Sequence, residues 1–213
     1  MKLIFYIILF LLLDIGISIM MHKIFKQRNQ IRKYIEIISY IISFLLVFGL
    51  IIRQAEYKEL LMKNWIVREH IVFYFILAIS ISILIYTFRM MILSKNQKIE
   101  KVYFHIGWIP EFILKIIIAP VCEEILCRNL LLAALLENYS FILAAFIVSL
   151  VFAILHLQLD TFFYFFVSSL IFSYIFYVSG SVIYTICSHI VYNFLCSTIT
   201  VQIRENYVSK QQL

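Results

Sequence analysis

Apolar residues run along this chain in blocks of helical length, most of them closed by charged residues. The blocks lie at about residues 3–21, 34–52, 71–92, 112–136, 141–156, 161–179 and 182–201. About 20 apolar residues carry a helix across a bilayer, so the pattern predicts about seven to eight helices, seven of them spanning or one half-inserted. No block shows the polar/apolar alternation of a membrane barrel strand, and Gly and Pro number only 4 and 2. The expected fold is therefore all-α, a polytopic transmembrane helix bundle.

Details refine this outline. The first block is too long for a cleaved signal and no small-residue cleavage site follows, so it reads as a retained anchor. Asp14 within it has no partner in sequence, and a lone acid of this kind is expected to face a neighbouring helix. Residues 53–70 mix charges, with Tyr57, Leu60, Leu61 and Trp65 at helical spacing. An amphipathic helix in the interface and a solvated loop both fit that segment. Trp108 and Pro110 mark a membrane boundary. Pro120, inside the fourth block, should loosen the hydrogen-bond ladder one turn ahead of the residues that follow it. Residues 137–140 and 158–160 and the Gly180–Ser181 pair divide the last four blocks.

Composition narrows the class. The chain is 64% hydrophobic and 14% charged, against about 45–50% and 25% for a soluble globular chain. The net charge of +6 is not a nucleic-acid footprint. Its basic residues sit in loops (Lys23, Lys26, Arg28, Arg32 and Lys33, then Lys95, Lys98 and Lys101) and in the last residues, Arg204 and Lys210. There they set topology and meet anionic headgroups, which puts the first and third loops and the C-terminus in the cytoplasm. The bilayer is thus a partner and nucleic acid is not. The four cysteines, Cys122, Cys127, Cys187 and Cys196, lie within blocks and lack zinc-knuckle or disulfide spacing. They read as small apolar packing groups.

Against this background the fourth block stands out, because it carries Glu123, Glu124 and Arg128 at depth. Each ionised side chain there costs about 2.5–3.5 kcal/mol on insertion scales. Glu124 and Arg128 share a helical face and suit an ion pair. Glu123 points elsewhere, with Cys127 on its own face. A structural salt bridge needs one acid, not two. His156 ends the fifth block, and His189 and Asn193 stand four apart in the seventh. Singly these are an interfacial histidine and a pair that glues helices. Together they come from three blocks and can meet in the cytoplasmic half of the bundle.

A carboxylate and an imidazole can share the proton of a trapped water and make it nucleophilic. A second histidine and an amide can donate to the oxyanion that forms when water attacks a carbonyl. Ser188 beside His189 points to a different face, which leaves water as the better attacker. Zinc on Glu123, His156 and His189 is the alternative. The H-E-x-x-H signature is missing and the histidines come from separate blocks, which favours activated water with no cofactor.

The ordered motifs E-E-x-x-x-R (Glu123, Glu124, Arg128), F-x-x-x-H (Phe152, His156) and H-x-x-x-N (His189, Asn193) resemble those of the CPBP family. These are the CAAX-protease and bacteriocin-processing proteins, also called the Abi family. The resemblance covers about residues 109–197. It implies a variable N-terminal transmembrane region at 1–108, a catalytic core at 109–200 and a polar tail at 201–213. It further implies an intramembrane endopeptidase of a bacterial cell membrane, cutting a peptide, propeptide or membrane-tethered protein. In that family Glu123 and His156 would activate water, and His189 and Asn193 would orient it or hold the oxyanion. Glu124, Arg128 and Phe152 would support them. Two positions depart from the family pattern: Cys127 replaces an aromatic before the arginine, and Asn129 replaces a glycine after it. A non-enzymatic bacteriocin-immunity protein on the same scaffold is the other reading, and a transporter is a weaker one because the two halves show no repeat.

Overall fold

The computed structural model describes residues 2–25, 34–65, 70–95, 112–156 and 159–211. It is an eight-helix bundle with no strand among those residues. In chain order these are α1 (Lys2–Ile24), α2 (Ile35–Ile51), α3 (Ala55–Lys63), α4 (Ile71–Lys95), α5 (residues 112–136), α6 (Phe141–Leu155), α7 (Phe162–Ser179) and α8 (Val182–Gln211). α1 pairs with α2, α4 with α8, and α6 with α7, while α5 runs between them and touches α1, α3, α6, α7 and α8. The block with the buried charges is therefore the central rod, the one place where several neighbours can supply partners.

All seven apolar blocks form helices, with α3 added between the second and the third. By length and apolar composition, α1, residues 71–91 of α4 and α7 are long enough to cross a membrane. A fourth span arises if α2 and α3, bent by 112° at their junction, count as one. α2 has 17 residues and α6 has 15, short of the roughly 20 that a straight crossing takes. α6 packs Ala144, Ala145, Val148, Phe152 and Ala153 against the bundle and leaves Ile142, Leu143, Phe146, Leu150 and Ile154 exposed on an apolar outer face. The loop residues Lys26, Arg28, Arg32, Lys33, Lys98, Lys101, Trp108, Pro110 and Gln158 lie outside the described residues. The helical backbone of α8 continues to Gln211, through the segment read as a tail.

Of the two readings of residues 53–70, the helix is what forms. Tyr57 and Leu60 of α3 are buried, and α3 lies on α5. The junction is a reciprocal asparagine pair. The Asn64 amide donates to the Asn129 carbonyl (3.4 Å), and the Asn129 amide donates to the Leu61 carbonyl (3.1 Å). The Asn64 carbonyl in turn accepts the Val182 N–H at the start of α8 (3.0 Å). Asn129, one of the two departures from the family pattern, is fully buried and ties α5 to the end of α3, which Asn64 in turn ties to α8. Asn129→Ala should lower stability in detergent by about 1 kcal/mol, the scale of one polar contact between membrane helices, read as a lower thermal midpoint.

Two further features place the site. Gly180 takes the left-handed conformation (φ 65°) and closes α7, its N–H reaching the Phe176 carbonyl (2.8 Å). That sharp stop lets α8 turn back beside α5. Along α8, Ser188 faces away from the site: its hydroxyl meets Ser82 (2.6 Å) and the Ala78 carbonyl (3.0 Å) of α4. Ser188 is thus a packing residue, and His189 next to it is rotated toward α5. Cys122, Cys127 and Cys196 are buried free thiols and Cys187 is partly buried. Cys196 also accepts from the Arg89 guanidinium (2.6 Å).

Candidate active site

α5 is not a regular α-helix. A π-helical turn covers Leu114–Ile118, just ahead of Pro120, and a second covers Ile125–Leu132. Pro120 has no N–H to give, so the ladder slackens before it, and the Ala119 N–H bonds the Leu114 carbonyl five residues back. The second π segment contains neither Gly nor Pro. It holds Cys127, Arg128 and Asn129, each of which is packed or bonded to another helix.

Glu124 and Arg128 are completely buried. Glu124 Oε1 accepts from Arg128 Nη1 (3.1 Å) and from His189 Nδ1 (2.8 Å). A carboxylate only accepts, so His189 carries a proton on Nδ1. Arg128 is held from the other side by the Ser169 carbonyl (3.0 Å) and hydroxyl (2.6 Å). The rings of Phe152 and Phe172 flank its guanidinium at 4.9 and 5.6 Å. Phe172 also stacks on the His189 imidazole (4.9 Å). The expected ion pair is thus the base of a longer chain from Ser169 through Arg128 and Glu124 to His189.

Glu123 departs from that chain, as its position on the helix requires. Its side chain is 24% exposed, and Oε2 lies 3.9 Å from His189 Nε2. Its Oε1 accepts from the Tyr40 hydroxyl (3.5 Å). A cavity of about 130 Å³ opens beside it, lined by Glu123, Cys127, Phe152 and His156 together with Phe10, Asp14 and Tyr40. A water occupies about 30 Å³, so there is room for several. His156 caps α6 with its ring stacked on Phe165 (3.8 Å) and its Nδ1 donating to the Phe152 carbonyl (2.7 Å). That bond leaves Nε2 as the basic nitrogen of the neutral ring. Phe152 therefore does two things: its ring covers Arg128 and its carbonyl sets the His156 tautomer.

Glu123 and His156 share one cavity, and His189 stands beside Glu123. Asn193 is placed differently: its amide donates to the Lys115 carbonyl in the first π turn (2.9 Å), and it does not line that cavity. Among the described residues no three His, Cys, Asp or Glu side chains are grouped to hold a metal ion. Sequence reasoning missed Tyr40 and the position of Asp14. Asp14 accepts from Ser39 on α2 (2.8 Å), so it does face a neighbouring helix, but it also reaches the cavity wall. An unexplained acid in the first block was the available signal; Tyr40 offered none.

Fold and site together define a helical membrane protein with a carboxylate–imidazole pair enclosed at its centre. Residues 105–195 match the family model described as Rce1-like, type II CAAX prenyl endopeptidase, a model of the CPBP family. All seven motif residues fall inside it, whereas α1 to α4 precede it. No curated protein and no solved structure matches the chain. At family level the match implies a CAAX-type intramembrane endopeptidase.

Proposed function

We propose that this chain hydrolyses a peptide bond of a membrane-associated peptide or protein with water activated by Glu123 and His156, without a metal. The observation that carries this reading is the partly open cavity that Glu123 and His156 both line, with His189 pinned beside Glu123 by the buried Glu124. Water between the carboxylate and the imidazole gives up its proton as its oxygen attacks the carbonyl carbon. The carbonyl π pair moves onto oxygen. As the tetrahedral intermediate collapses, the C–N bond breaks and the stored proton goes to the leaving amine, giving an acid and an amine. His189, with its own proton fixed toward Glu124, presents a basic Nε2 to Glu123. It can take up a proton and lie as an imidazolium between two carboxylates. Asn193 serves this arrangement by holding α8 against the π turn of α5.

The test uses the purified full chain in detergent, a proteome-derived peptide mixture and a quenched prenylated CAAX peptide, with cleavage read by mass spectrometry and fluorescence. His156→Ala should lower turnover by about 10²–10⁴, the usual worth of a general acid–base group. Addition of a strong chelator should leave wild-type turnover unchanged. Chelator-sensitive cleavage restored by zinc would replace this mechanism with a metal one.

A further inference from the structure

A tetrahedral intermediate needs a hydrogen-bond donor for its oxyanion, and the site spends most of its donors elsewhere. The His189 Nδ1 proton is given to Glu124 and the His156 Nδ1 proton to the Phe152 carbonyl. While each ring is neutral its Nε2 accepts, and it donates only after taking up a proton. One Asn193 amide hydrogen is given to the Lys115 carbonyl, and Asn193 does not line the cavity. On the cavity wall the donors that need no proton uptake are the Cys127 thiol, a weak one, and the Tyr40 hydroxyl.

Tyr40 comes from α2, outside the family match. Its ring is set edge-on against Phe10 of α1 (5.0 Å, 87°), so two helices of the N-terminal half fix it over the site. Its hydroxyl rests 3.5 Å from Glu123 Oε1, a long contact that a fuller negative charge nearby would outcompete. We propose that Tyr40 is a catalytic residue of this chain, its hydroxyl donating to the oxyanion formed when the water held by Glu123 and His156 adds to the substrate carbonyl. The hydroxyl keeps its proton throughout. Because the oxyanion exists only after attack, the contact acts on turnover and not on substrate binding. The inference rests on the hydrolytic reading above. It also makes the N-terminal half part of the active site rather than only an anchor.

Tyr40→Phe removes the donor and keeps the ring packed on Phe10. It is compared with wild type and Glu123→Gln on the same prenylated CAAX peptide and peptide mixture, in the full chain, with KM and kcat measured across pH. The expected result is a kcat lower by about 10²–10³, the effect of deleting one oxyanion donor, with KM and the acid limb of the pH profile unmoved. If Tyr40 merely tuned Glu123, the acid limb would shift instead, and that shift would overturn the proposal. Tyr40→Phe turning over like wild type while Glu123→Gln is inactive would overturn the Tyr40 role alone. Glu123→Gln turning over like wild type would bring down the hydrolytic reading and this inference with it.

Discussion

Glu123→Gln is expected to abolish cleavage while the protein inserts, elutes and melts like wild type. The substitution keeps the size and one acceptor oxygen of the side chain, so the Tyr40 contact and the cavity wall survive. What disappears is the group that can take a proton from water, a role worth about 10²–10⁴ in rate by itself. Loss beyond that range is expected because Glu123 and His156 act as one unit, and residues that do so are strongly non-additive. Glu123→Gln/His156→Ala should therefore be little slower than Glu123→Gln alone. Measurable turnover by Glu123→Gln close to wild type would remove the carboxylate from the chemistry.

Arg128→Leu should damage the fold more than any change at the cavity wall. Both partners of the Arg128–Glu124 pair are fully buried, and removing one partner of such a pair costs roughly 3–5 kcal/mol because the other charge is left uncompensated. Here the loss extends further, since the Ser169 contacts and the two flanking rings go with the guanidinium. Glu124→Gln/Arg128→Leu should regain most of that stability, because no buried charge is then left alone. It should not regain activity, as a glutamine cannot accept the His189 proton with the strength of a carboxylate. Thermal unfolding in detergent and cleavage of the same peptide read the two effects separately. Recovery of activity along with stability would make Glu124 and Arg128 purely structural.

Much of the design was legible along the chain because the membrane makes polar groups at depth expensive. Glu123, Glu124 and Arg128 were visible for that reason, and helical geometry alone separated the paired acid from the free one. Pro120 announced the slack turn ahead of it. How many helices cross was less legible, because an apolar block says only that water is excluded. It does not say whether lipid or protein excludes it, and α6 meets the bundle on one face while Ile142, Phe146 and Ile154 stay exposed on the other. The second π segment was hidden too, since it has no Gly or Pro. Its register is held by Asn129, Arg128 and their partners on other helices.

The sequence by itself determined an all-helical membrane bundle, the identity of the polar groups and which of the neighbouring glutamates pairs with Arg128. These follow from periodicity and the cost of burying charge, both local quantities. Tertiary structure decided which donors are still free. Only packing shows that Asn193 is committed to a backbone carbonyl, that Glu124 fixes the His189 proton, and that Tyr40 and Asp14 of the N-terminal helices wall the cavity. A hydrogen bond across helices depends on which faces meet, and no spacing within one helix encodes that.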